Sequence, residues 1–239
     1  MTEQTTQKKY ELLKDDTVEH FGRTLYRIKA LITFGLVGAG QLGGYIETEK
    51  NLDHSGNAWV YGNARVCDDA CVYGNAGVYD NAWVYGNARV YGNARVYGKA
   101  WVFGNACVYG NAGVYGKAWV FGNAWVFGNV RVYGDACVYG NAGVCGDARV
   151  YDIARVFGDA RVRSFAVISE RKMIFWASNV GSENGTLTVF NGKFGLIVTR
   201  GCFTGTVDEF LSKSKEVHDD KTHHEYKLLI EVAQSRILN

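Results

Sequence analysis

Small and apolar residues recur along most of this chain on a six-residue beat. From Ala58 the sequence reads AWVYGN ARVCDD ACVYGN AGVYDN and keeps that frame to ARVFGD ARVRSF, ending at Phe165. Valine fills every sixth position from Val60 to Val162, and alanine stands two residues before each, with Val130 the one exception. Residues two apart on an extended chain point to the same side, so Ala and Val face inward while the residue between them and the aromatic after them face out. The Gly and Asn or Asp that follow tolerate left-handed backbone angles and supply a corner. Each hexad is therefore one short strand and one turn, and eighteen of them span residues 58–165. One hexad cannot bury its apolar side, but a stack can.

This pattern resembles the hexapeptide-repeat, left-handed β-helix family. The resemblance implies three hexads per triangular coil, about six coils over residues 58–165, and a prism of about 29 Å at the usual strand spacing. Residues 25–165, with Gly43-Gly44-Tyr45-Ile46 and Asn51-Leu52 running straight into hexads, are also similar to a bacterial and phage subgroup sometimes labelled polymer-forming or transferase-like. The expected fold class is mainly β: an N-terminal β cap (1–46), a left-handed parallel β-helix (47–168) and a small α+β domain (169–239). Trimers around an axis parallel to the prism are the family's implied assembly.

Three hexads per coil would stack every eighteenth residue on one face. Trp83, Trp101 and Trp119 then form a column beside Tyr85, Phe103, Phe121, Tyr139 and Phe157, and Tyr61 to Tyr151 form another. Such columns stiffen a stack. Three tryptophans with neighbouring phenylalanines also exceed the apolar patch a monomer usually exposes. Trp83, Trp101, Trp119, Phe103 and Phe121 are therefore the candidate homo-oligomer interface. Arginine crowds the last hexads: Arg149, Arg155 and Arg161 take the outward position, with Arg163, Arg171 and Lys172 close behind. They form a solvated polar end or a collar for an anionic ligand.

Outside the hexads, Thr24-Leu25-Tyr26-Arg27-Ile28 alternates as a strand after a turn at Phe21-Gly22-Arg23. Beyond Arg163, residues 173–177, 186–190 and 194–198 read as strands, and 207–217 and 223–237 as helices, with Thr206 or Asp208 as an N-cap. The loops SENG (182–185) and TRGCFTGT (199–206) set hydroxyls, glycines and Arg200 near a helix start, a layout that suits an anion. Ser182, Asn184, Thr199 and Arg200 join Arg149, Arg155, Arg161 and Arg163 as candidate ligand contacts. His218, Asp219, Asp220, His223, His224 and Glu225 sit at a helix connection, and no metal site is expected from them.

Composition narrows the function. Thirty glycines, fifteen tyrosines and no proline accompany 47% hydrophobic residues, which describes a packed protein. A formal charge of +2 favours neither nucleic acid nor a membrane surface. Six cysteines without a CxxC pair and a polar, charged N-terminal stretch lead to an expected cytoplasmic location with reduced thiols. The resembled family contains coenzyme A acyltransferases with a histidine in or between the coils. Here His20, His54, His218, His223 and His224 all lie outside residues 58–165. The expectation is thus a non-catalytic, cofactor-free oligomeric binding protein, with a purely structural scaffold as the alternative and an acyltransferase third. The phage-type resemblance implies a narrower version: a phage-encoded antagonist of host defence that sequesters an anionic nucleotide-type ligand or binds a defence protein.

One motif argues otherwise. Gly38-Ala39-Gly40-Gln41-Leu42-Gly43 matches the G-x-G-x-x-G of dinucleotide sites. Such a site needs a helix next, and the hexads begin before one could form. Ile46 stands six residues before Leu52, so the rhythm already starts here, and the glycines read as a flexible join between cap and first coil.

Overall fold

The computed structural model describes residues 8–239. Residues 1–7, the start of the expected N-terminal cap, lie outside the described residues. The hexads form two-residue strands, each paired in parallel with its neighbours one coil above and below. In Trp101–Val102, for example, Trp101 pairs with Trp83 and Trp119. The strands sort into three sheets. Sheet I runs from Tyr45-Ile46 through Arg65, Trp83, Trp101, Trp119 and Cys137 to Arg155. Sheet II has seven strands from Trp59 to Val167, and sheet III six from Cys71 to Arg161. The chain is a parallel β-solenoid of about seven turns, one more than the hexads from Ala58 imply. The extra length comes from Ile46 and Leu52 at one end, which bridge to Val66 and Val72, and from Ile168 at the other.

Every inward Ala and Val from Ala58 to Val162 is buried, Val130 included. A buried valine is worth about 1.5–3 kcal/mol relative to an exposed one. The backbone is satisfied between coils: the N–H of Trp59 donates to Ala76 O (3.0 Å), that of Tyr61 to Val78 O (2.7 Å), and so on down the prism. Where aspartate replaces the corner glycine it keeps the left-handed angle, with φ 59° at Asp68 and 62° at Asp80. Each of these carboxylates accepts an N–H from the coil below, Gly86 at 2.8 Å and Gly98 at 3.1 Å.

Side chains repeat the ladder outside. Along one edge Asn57, Asn75, Asn93, Asn111 and Asn129 each donate an amide hydrogen to the next residue's oxygen, ending on Asp147. A second edge runs Asn87, Asn105, Asn123, Asn141 to Asp159. Aromatic columns accompany them. Tyr85, Phe103, Phe121, Tyr139 and Phe157 stack at 4.8–5.0 Å, and Tyr97, Tyr115, Tyr133 and Tyr151 at 4.7–5.0 Å. Sheet III adds a third column that the sequence reading passed over, Tyr73, Tyr91, Tyr109 and Phe127.

Both ends are closed, as an open stack requires. Strand β1 (Tyr10–His20) and strand β2 (Arg23–Ala30) form a hairpin about the left-handed pair Phe21-Gly22. Strand β3 (Leu42–Ile46) pairs antiparallel with β2 on one side and parallel with Arg65-Val66 on the other. The glycine run makes that switch possible, but not through slack. A Cβ on Gly43 would lie 2.5 Å from Ile28 and 2.6 Å from Val60 O, and one on Gly44 would lie 2.5 Å from Ala64 O. These glycines are buried because the cap crosses the first coil in contact with it. Lys9 and Tyr10 pin the hairpin down: Lys9 Nζ donates to Ala58 O (3.0 Å) and Tyr10 Oη to Leu52 O (2.7 Å).

At the far end Ile174–Val180, Gly185–Gly192, Gly195–Arg200 and Phe203–Thr206 form an antiparallel meander, followed by helices α1 (Val207–Val217) and α2 (Asp220–Leu238). The sheet sits on the last coil through the Ala166–Gly192 bridge, Asn191 to Val167 O (3.1 Å) and Thr199 to Arg161 O (2.6 Å). Phe190 and Ile174 continue the solenoid core into this domain.

Two predictions follow from these contacts. Asn105→Asp removes a donor and sets a carboxylate against Asn123 Oδ1, so it should cost about 1–3 kcal/mol in urea unfolding. Asp159→Asn, at the ladder's end, should cost clearly less. Burial depresses the Lys9 ammonium to about pKa 8, with Asp53 opposing. Between pH 8 and 10.5 the folded state then binds fewer protons than the unfolded chain, so stability rises with pH there. Melting curves should show wild type gaining on Lys9→Met across that window, and no change in their difference below pH 7.

Candidate functional surfaces

Function must sit on the outward positions or on the two caps, because the interior is filled. Sheet I carries the tryptophan column: Trp83 and Trp101 stack at 5.5 Å, Trp101 and Trp119 at 5.3 Å. The column is not evenly open. His20 of the hairpin packs edge-on against Trp83 at 3.8 Å, and the Arg65 guanidinium lies 4.9 Å from the same ring. Exposure therefore grows down the column and reaches 41% at Trp119. Phe103 and Phe121 are half-buried within their own stack. Trp125, which the sequence reading did not single out, is 50% exposed on sheet III. It lies across the Asn123 edge from Trp119, so these two exposed rings straddle an edge of the prism. The signal was present in the sequence as AWVFGNAWVF, two tryptophan hexads in succession.

Arg149, Arg155 and Arg161 belong to one coil but to sheets II, I and III respectively. They ring the solenoid with one guanidinium on each face, and their side chains leave in three directions instead of converging on one pocket. Arg163 is half-buried one step beyond. Thr199 and Arg200 are neighbours on one strand and so face opposite ways. Thr199 is buried against the solenoid, while Arg200 turns toward the helices, donating to Tyr226 Oη (3.0 Å) and Val180 O (3.2 Å). Ser182 and Asn184 are exposed in the turn after Val180.

The segment TRGCFTGT folds as a strand hairpin. Arg200 pairs with Phe203 and Thr199 with Thr204 about Gly201-Cys202. The helix start behind it is closed by its own residues: Thr206 Oγ1 accepts from Glu209 N, and Glu209 Oε2 accepts from Thr206 N at 2.7 Å. Three polar groups of the helix connection are likewise engaged, Asp219 with Thr222, His223 with Ser214 and Glu225 with Gly181.

His54 is the histidine nearest the coils. Its Nδ1 accepts the Lys9 N–H at 3.1 Å, and its ring stacks on Tyr10 at 4.3 Å. It clamps the hairpin to the first coil. Glu47, Cys67 and Asp68 bring ligand atoms within 4.8 Å of one another, a spacing that would suit a cation. Arg23 already bridges the two carboxylates. Burial, reinforced by Asp68 and Glu47, pushes the Cys67 thiol up to about pKa 12 and keeps it protonated.

A family model described as the YdcK Beta solenoid repeat matches residues 88–104, about one coil. This is a β-solenoid repeat protein. No curated protein matches it. In this β-solenoid no helix is long and apolar enough to cross a membrane, among the described residues. All six cysteines are unpaired, with Cys202 exposed at a hairpin tip and Cys67 buried. Peptide mapping after brief alkylation of the folded protein at pH 8 should find Cys202 modified first. Cys67 should react on the order of a hundredfold more slowly or less.

Proposed function

We propose that this β-solenoid is a non-catalytic oligomeric scaffold whose copies associate along the prism edge bearing Trp119 and Trp125. The observation that carries the reading is the exposure of these two rings, 41% and 50%, at the centre of an otherwise regular stack. About half of the roughly 150–250 Å² of each side chain remains to be covered, and the same edges of further copies, gathered round a common axis, offer apolar surface to cover it. The stacked corners give such an edge a fixed spacing, so it meets another copy as a rigid ruler. A trimer with parallel prisms is the arrangement that the hexapeptide resemblance implies. The clamped position of His54 and the histidine-free coils fit a role without chemistry.

A second reading gives the same prism a binding role toward an anionic ligand or a host protein. It is favoured by the outward arginines Arg89, Arg95, Arg131, Arg149, Arg155 and Arg161, none of which has an acidic partner within ion-pair distance among the described residues.

Light scattering on the eluting full chain at micromolar concentration tests the first reading. Wild type should run at a multiple of 26.4 kDa, three being the expected number. Trp119→Lys with Trp125→Lys should shift it to the monomer without changing the melting temperature by more than a few degrees. A monomeric wild type overturns the proposal.

A further inference from the structure

Sheet II bears Trp59, Gly77, Arg95, Gly113, Arg131 and Arg149 in succession at its outward positions. The two glycines differ. Over Gly77 the Tyr79 ring folds in, 2.4 Å from where a Cβ would stand, so that gap is filled. At Gly113 only the Tyr115 ring comes within 4 Å of that point, at 3.8 Å. The result is a hollow of about 450 Å³ with Gly113 as its floor, walled by Asn93 and Asn111 on one side, Tyr97 and Tyr115 on the other, and Arg95 and Arg131 at its two ends.

The arginines are two coils apart, roughly 9.5 Å along the axis, and both are exposed. Both act on the Tyr97 hydroxyl: burial in its stack raises the phenol's pKa, and Arg131 and Arg95 pull it back. The two cations thus bear on the same place from either side of Gly113. Each wall asparagine uses one amide hydrogen in the edge ladder, and its second is left over for a ligand. Three carboxylates on coils around this face are engaged: Asp80 accepts from Gly98 N–H at 3.1 Å, Asp135 pairs with Lys117 at 3.9 Å, and Asp147 accepts from Asn129.

The tyrosines restrict what can bind. Tyr97, Tyr115 and Tyr133 stack at 4.7 and 4.8 Å with planes 6° and 1° apart, so the ring faces that look at one another between Arg95 and Arg131 are covered. Over Gly113 they offer edges and hydroxyls, and no open face for a base or a sugar ring. Recognition falls to the anionic group itself. A guanidinium at each end suits an anion with three or more acceptor oxygens, since a carboxylate's two oxygens fully serve only one bidentate partner.

We propose that the hollow over Gly113 is a binding site for a tetrahedral oxyanion, the phosphate or sulfate group of a larger ligand, gripped between Arg95 and Arg131. The site does not depend on the oligomer, because it lies on sheet II, away from the Trp119/Trp125 edge.

Calorimetric titration of the full chain with inorganic phosphate, sulfate and acetate at constant ionic strength tests it. Saturable binding of phosphate or sulfate is expected, with acetate at least tenfold weaker; the tighter of the two names the ester. Arg95→Gln with Arg131→Gln should weaken binding about tenfold or more, and Gly113→Val, which fills the hollow and keeps both cations, should do the same. Arg155→Gln, on sheet I, should bind as wild type does. The altered positions point outward, and thermal melting confirms that each variant is folded. Acetate binding equal to phosphate, no saturable binding, or an unchanged affinity in the folded double variant overturns the proposal.

Discussion

The structure depends on one constraint, the fixed rise between successive coils that parallel backbone hydrogen bonding imposes. Each coil donates its N–H groups to carbonyls one layer on, and strand spacing of about 4.8 Å leaves little room for variation. An inward Ala or Val then meets an identical residue directly above and below it, which is why the sequence can repeat itself so closely. Substitution inside is limited by volume. Substitution outside is limited only by what the neighbouring layer presents at the same place.

That rise also sets the chemistry of the surface. Amides one layer apart fall within hydrogen-bond reach, from 2.9 to 3.2 Å along both edges. Aromatic rings one layer apart fall at stacking distance. Like residues therefore reward one another down a column, and a column of tyrosines withdraws its ring faces from other partners. A break in a column matters for the same reason. Gly77 is filled by its neighbour and Gly113 is not, and only the second becomes a hollow.

The solenoid was legible in the sequence because its period is short and nearly unbroken, and Ile46 with Leu52 correctly announced an earlier start. Leu52 to Val60 is eight residues instead of six, the extra two falling in the corner that holds His54, so the first turn is hidden from a strict six-residue count. The glycine run leads into a strand, and Gly43 and Gly44 are tightly packed instead of forming the flexible join expected, since close approach of a distant strand leaves no mark on local sequence. Arg149, Arg155 and Arg161 looked like a cluster because they are near in sequence, yet a period of three sheets sends successive hexads to different faces. Residues that share a face are eighteen apart, which is how Arg95, Gly113 and Arg131 come together. In the C-terminal domain, the strand Phe203–Thr206 was missed because Gly and Thr alone read as a loop, and its pairing with Gly195–Arg200 supplies what propensity lacks.

The two asparagine edges end on aspartate, Asp147 and Asp159. An amide both takes and gives a hydrogen, so a file of amides can be lengthened indefinitely by any further amide placed beneath it. A carboxylate takes and has nothing to hand on. The next place in the first file is taken by Phe165, and the second carboxylate oxygen of Asp159 accepts from the Ser178 hydroxyl at 3.4 Å, so neither file reaches a free end. The repeat that makes the body of the molecule so easy to extend thus carries its own full stop, written in two side chains before the C-terminal sheet closes the stack.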